Sequence, residues 1–330
     1  MGIRSFIYKN IDWILEKFSF FLAPVISYMG LYGIGSEKFL RSGVLPVPID
    51  HYQPVPDIHE LQKREVWKKI SNLPGVDWRP EHQLNNLYKI AEKFKTECKW
   101  PYEKPIDSSK FYLGNETFSF GCAASLHCMI RYYKPDRIIE VGSGNSSLII
   151  HEAITLNYNE NNKSVQYTVI DPYPRREIVE KIHNDTEIII NKVENINLAK
   201  FKDLYENDIL FIDSSHMAKI GSDVNYLILD VLPNLNQGVI IHFHDIPMPY
   251  EYPEVYALNP KFRVFWNESY LLQAFLSCNN KFEILMGMRY LMTTYVDEFS
   301  SIFPFFDKNR HPIISSSFWI KKMSFNDKKQ

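Results

Sequence analysis

Asp213 and His216, in the stretch IDSSH, and His244 and Asp245, in HFHDI, are the residues of this chain whose types and spacing best suit chemistry. Each pair follows an apolar run, 208–212 (DILFI) and 238–243 (GVIIHF), that reads as a buried strand. Four ionisable groups at two strand ends are hard to attribute to packing, because a buried charge is costly unless it is paired or bound. Two chemistries suit them. In one, a histidine titrating at about pH 6.5 takes a proton from a hydroxyl group as that hydroxyl attacks an electrophile. In the other, Asp213, His244 and Asp245 hold a divalent ion such as magnesium or manganese, which positions acceptor oxygens and lowers a hydroxyl pKa. His242 sits within its run and reads as a core histidine. Asp223 is open between bracing His216, bracing a backbone amide and facing solvent.

A second constellation lies upstream, in RIIEVGSGNSSLII, residues 137–150. An apolar run reaches Glu140, turns through Gly142, Ser143 and Gly144, then becomes apolar again. Glycines at the carboxyl end of a strand let the backbone come close to a ligand. A dinucleotide fingerprint wants a third glycine where Ser147 stands, which argues against NAD. Asp171 ends the next apolar run, in YTVID, 27 residues after Gly144. A carboxylate there accepts hydrogen bonds from ribose hydroxyls, in NAD or in S-adenosylmethionine alike. Glu140 tips the balance, since an acidic first strand tolerates a cationic sulfonium better than a pyrophosphate.

The elements that must position these residues alternate. Strands are expected at 137–141, 166–170, 187–190, 208–212 and 238–243, with helices at 145–156, 175–183 and 220–231 between them. That alternation predicts a doubly wound α/β sheet, parallel, with helices on both faces. A helix near 267–277 and strands at 282–287 and 313–320 follow, the last two expected as an antiparallel hairpin closing one edge. Upstream, helices are expected at 59–72, 81–98 and 120–135, the last stopped by Pro135. The organisation expected is an apolar segment with a Pro-rich linker (1–58), a helical cap (59–135) and the ligand-binding domain (136–330). In that domain Tyr250, Tyr252 and Trp266 are candidates for an acceptor pocket, and His51 in the linker is a candidate for folding over it.

Hydrophobic residues make up 45% and charged residues 23%, the composition of a folded globular chain. A net charge of −2 with no basic stripe speaks against a nucleic-acid partner. The four cysteines form no CxxC pair, which reads as reduced thiols in a cytoplasmic protein. Residues 18–35 carry no charge. That stretch is open between a buried or homo-oligomer-packing segment, a peripheral membrane contact and a true span.

The chain resembles the class I S-adenosylmethionine-dependent methyltransferases, and within them a bacterial methyltransferase-domain group that includes enzymes of sugar and secondary metabolism. RIIEVGSGNSS, VIDPYPR, DILFIDSSHMAKIGSDV, LPNLNQGVIIHFHDIPMPYEYP and SSSFWIKK carry the resemblance, and HYQPVPD and GVDWRPEHQL add to it. It implies a Rossmann-like seven-stranded sheet with antiparallel last strands, beside a helical N-terminal extension. It also implies S-adenosylmethionine as cofactor and methylation of an oxygen on a sugar, glycan or polyhydroxylated metabolite. Glu140, Gly142, Ser143, Gly144, Asp171 and Asp213 are the expected cofactor residues; His244, Asp245 and His216 are the expected catalytic ones. Catechol-type relatives with a metal place Asp–Asp or Asp–Asn where this chain has His244–Asp245. Two alternatives from other classes are a nucleotide-dependent oxidoreductase and a catalytically silent assembly partner.

Overall fold

The computed structural model describes residues 3–107, 110–182, 186–311 and 315–323, with side chains described from residue 12 onward. The chain divides into two units, one of residues 1–66 and 257–265, the other of 67–256 and 266–330.

The second unit is built on seven strands: β1 (Arg137–Val141), β2 (Gln166–Ile170), β3 (Thr186–Ile189), β4 (Ile209–Ile212), β5 (Ile240–Phe243), β6 (Phe282–Gly287) and β7 (Phe318–Lys322). Their order is β3-β2-β1-β4-β5-β7-β6, with only β7 antiparallel to its neighbours. The inner strands are β-branched and aliphatic because both their faces are covered. Successive residues of β4 supply opposite layers: Ile209 and Phe211 join the core with Leu126, Ile150 and Trp319, while Leu210 and Ile212 join Val224, Ile228 and Phe243.

Register places the site. Val141 pairs with Ile212, and Ile212 with Phe243. The three central strands therefore end level, and the residues that follow, Gly142, Asp213 and His244, emerge side by side.

The expected antiparallel pair closes one edge of the sheet, β6 on β7, but not through a tight turn. β7 inserts between β5 and β6, and two helices the sequence pattern did not reveal, Met288–Thr294 and Val296–Ile302, connect β6 to it. The start of the expected strand, residues 313–314, and residue 183 of an expected helix lie outside the described residues. The helix expected over 59–72 runs only Ile58–Lys63, ending where Glu65 turns left-handed at φ 51°. The helix expected over 81–98 stops at Ala91. All four cysteines are free, Cys98 and Cys128 with sulfurs 3.8 Å apart.

In the first unit a long helix, Ile3–Tyr32, turns through Gly33 and Gly35 into a short one, Ser36–Arg41. Residues 44–49 continue without regular structure, as their prolines require.

Candidate active site

The glycine turn is held from below by Glu140, not completed by it. The Glu140 side chain is fully buried and accepts hydrogen bonds from Ser146 Oγ (2.6 Å), Ser147 Oγ (2.8 Å) and the Tyr167 hydroxyl. Burial pushes its carboxyl up, to about 7, against those three bonds. Three of its roughly four acceptor positions therefore clamp the turn to the helix Asn145–Asn161 and to β2. The same contacts explain why Ser147 stands where a dinucleotide site would have glycine. Its hydroxyl also accepts from the Gly144 amide, at 3.1 Å.

Gly142 is required for a reason the sequence did not show. Its φ is +80°, and a Cβ there would lie 2.2 Å from the Asp213 carbonyl oxygen. The glycine lets β1 and β4 deliver their loops to one point. Gly144 differs: its backbone is extended, and a Cβ would meet only the Arg175 guanidinium, at 3.4 Å. That open side is where a ligand can approach the turn. Asp171 ties the turn to β2, accepting from Ser143 N (2.9 Å) and Ser143 Oγ (2.6 Å) on one oxygen and from Tyr173 N (2.7 Å) on the other. A carboxylate offers about four acceptor positions, so one remains for a ribose hydroxyl.

The four strand-end groups do converge. His216 Nε2 lies 3.4 Å from Asp213 Oδ1 and 3.7 Å from Asp245 Oδ2; His244 Nδ1 lies 3.7 Å and 3.5 Å from the same two oxygens. His216 and Asp245 both adopt left-handed backbone, φ 59° and 55°, conformations that cost energy outside glycine. Asp245 is anchored by Ser316 Oγ, 2.7 Å from its other oxygen. The His244 ring stacks on Phe118 at 5.1 Å.

Sequence reasoning missed the group that completes the cluster. Glu268, fully buried, accepts from Ser214 Oγ at 3.0 Å and holds His216 Nδ1 at 2.8 Å. The only signal was one acidic residue opening an apolar helix 52 positions away. Cys122 was missed as well. Burial raises its thiol, but the charge and hydrogen bond of His244, with Ser119 and Ser317, bring it down to about 7.

Charge in this cluster runs opposite to the simple expectation. Burial opposes a proton on His216, yet its bonds to Asp213 and Glu268 raise it to about 10. His244 is also raised, burial being outweighed by Asp245 and Asp213. The neighbouring carboxylates thus favour the protonated form of both rings over a free base titrating at about pH 6.5. Replacing Glu268 by glutamine should therefore lower the His216 pKa by one unit or more, and NMR titration of the ring reads it. An unchanged titration would show that Glu268 does not act through His216. Loss of this buried pair should also cost about 3–5 kcal/mol of stability.

The remaining candidates fall out of the cluster. His242 is buried in the sheet, stacked 4.1 Å from Phe211 with Nε2 on Ser317 Oγ at 2.8 Å, and burial lowers its pKa. Asp223 accepts from Ser215 N (2.7 Å) and Ser215 Oγ (2.6 Å), so it braces the loop. Tyr252 accepts from the Ser269 amide at 2.9 Å, and its ring packs on Trp266, which sits 4.4 Å from His216. Asp245, Tyr252, Tyr256, Arg289 and Ser316 line a small hollow beside the cluster. Tyr250 instead packs against Arg289, 5.8 Å away, and His51 packs on Tyr52 in the other unit.

Residues 139–246 match the family described as a methyltransferase domain. A protein of Archaeoglobus fulgidus, described only as uncharacterized, is 33% identical over 174 residues, 49% of this chain and 75% of that protein. Among solved structures, the chain is similar to the S-adenosylhomocysteine-bound methyltransferase PaMTH1 of Podospora anserina, at 15% identity and TM-score 0.37, covering 84% of this chain and 98% of that one. It is also similar to a structure titled cmcI-N160 with S-adenosylhomocysteine, at 14% identity and TM-score 0.34, covering 62% and 77%. The chain belongs to the class I S-adenosylmethionine-dependent methyltransferases. The oxidoreductase alternative gives way to that membership.

Proposed function

We propose that this chain methylates an oxygen atom of a sugar, glycan or other polyhydroxylated metabolite. The observation that carries the reading is the convergence of Asp213, His216, His244 and Asp245 where β4 and β5 end level with the glycine turn. A bound S-adenosylmethionine supplies an electrophilic methyl group on a cationic sulfonium. The open side of Gly144 and the spare acceptor position of Asp171 fit its nucleoside. Asp213, Asp245 and Glu268 outnumber the two imidazoles, so the cluster favours a neighbouring cation. With its own proton given up to solvent, the free imidazole of His244 would take the acceptor's hydroxyl proton as the oxygen–carbon bond forms and the carbon–sulfur bond breaks.

A divalent ion is the second reading. The four nitrogen–oxygen separations of 3.4–3.7 Å alternate around the cluster and exceed the roughly 2.7–2.9 Å of a tight charge-assisted hydrogen bond. Yet among the described residues no group of three or more His, Cys, Asp or Glu is arranged to hold an ion. The ion-free reading therefore leads; if an ion binds, Asp213, His244 and Asp245 would hold it, and it would lower a hydroxyl pKa.

The test is methyl transfer from 13C-methyl-labelled S-adenosylmethionine to a panel of sugars and polyols, with and without EDTA. A methoxy carbon in the product's NMR spectrum and full activity in EDTA are the expected results. Loss of turnover in EDTA with rescue by magnesium or manganese would transfer the role to an ion. A methyl group on nitrogen, sulfur or carbon would overturn the oxygen assignment, and cofactor binding without transfer to any acceptor would favour the silent assembly partner.

A further inference from the structure

The first unit has a chemistry of its own. From Phe18 to Ser36 there are nineteen consecutive residues without charge, most of them on the helix Ile3–Tyr32. Phe20, Phe21, Leu22, Val25, Ile26 and Leu31 are 40–78% exposed. At about 100° per residue these six spread over roughly 240° of the helix. The remaining arc carries small residues, Ser19, Ala23, Ser27 and Gly30, and there Gly30 takes the returning chain at Pro46, 3.1 Å from where a Cβ would sit.

A helix that docks on a protein, or lies flat on a membrane, shows an apolar stripe of about 100° and a polar back. From Phe18 onward this one has an apolar arc more than twice that wide and no charge, with Asp12, Glu16 and Lys17 confined to the turns before it. One protein surface cannot cover such an arc, but acyl chains surround a helix on every side. Length fits as well: Asp12–Tyr32 is long and apolar enough to cross a membrane, and its 21 residues rise about 31 Å against a hydrocarbon core of about 30 Å. Trp13 marks one end and Tyr28 and Tyr32 the other, where amphipathic rings sit at headgroup level. Asp12, Glu16 and Lys17 at the first end, and Glu37, Lys38 and Arg41 beyond the second, bracket the apolar stretch with charge, as headgroup and water layers require. Past Arg41 the chain still exposes Val44, Leu45 and Ile49.

We propose that the N-terminal helix inserts into the hydrocarbon of a lipid bilayer and tethers the methyltransferase to that membrane. The partner is the lipid itself, whichever acceptor the active site takes.

The experiment reconstitutes the full chain into phosphatidylethanolamine–phosphatidylglycerol vesicles and follows flotation after an alkaline carbonate wash, beside the double variant Phe21→Asp/Ile26→Asp. The wild type should float and resist the wash. The variant should stay in the dense fractions while still binding S-adenosylhomocysteine, which separates lost insertion from lost folding. A wild type that sediments, or that carbonate strips, overturns the proposal. So does equal flotation of the variant, which would assign membrane contact to another surface. A detergent-free wild type that sediments as a single defined oligomer would assign the helix to a second copy of this chain and overturn it too.

Discussion

Replacing Asp245 by asparagine should slow methyl transfer about 10²–10⁴-fold, the range for a disabled proton-transfer group, with S-adenosylhomocysteine affinity nearly unchanged. Burial works against ionisation of Asp245, but the charge and hydrogen bond of His244, then His216 and Ser316, hold its carboxyl well below the usual carboxylate range. Asparagine tolerates the left-handed backbone at φ 55°, so the loop should fold. What it removes is the charge that keeps a proton on His244. The alkaline-side rise in kcat should therefore begin at lower pH in the variant than in the wild type, as a smaller maximum rate. Stability carries the matching sign. A histidine pKa raised on folding, about 10 for His216, contributes stability that is complete below the unfolded value of about 6.5 and lost as pH rises through the folded one. Near-wild-type transfer by Asp245→Asn, or a pH profile that does not move, would remove this side chain from the chemistry.

The second large effect is expected at Gly142. Alanine there should abolish measurable cofactor binding and lower the melting temperature by about 10 °C or more. Left-handed backbone costs a non-glycine residue about 1–2 kcal/mol, and a Cβ 2.2 Å from the Asp213 carbonyl must also push the end of β4 away. At about 2–4 °C per kcal/mol for a domain of this size, several kcal/mol gives that shift. Gly144→Ala is the instructive control. Its extended backbone is open to any residue, so stability should hold while cofactor affinity falls, because the methyl group enters the open side of the turn. Calorimetry and thermal unfolding of the pair distinguish a clash within the protein from a clash with the ligand. Wild-type behaviour of Gly142→Ala in both would sink the account.

Asp171, Asp213, His216, His244 and Asp245 were legible as a group because each follows an apolar run of strand length. In a parallel sheet, the residues just past such runs gather at one edge. Period and composition alone carry that much, since they report which residues seek burial. The same local signal set β1, β2 and β6 at the residues where they are found. It also marked His242 as a core residue. Long-range pairing carries no local signal, and it decided the rest. β7 enters between β5 and β6 because its residues pair with strands on both sides, a choice its own pattern does not encode. Glu140 is turned inward because Ser146, Ser147 and Tyr167 together satisfy a carboxylate that burial would otherwise penalise. Glu268 reaches His216 across 52 positions and sets the charge of the cluster. A pKa depends on which groups share a few ångströms of low-dielectric space, so the sequence could name the histidines of this site but only the tertiary structure decided which carboxylates raise their pKa.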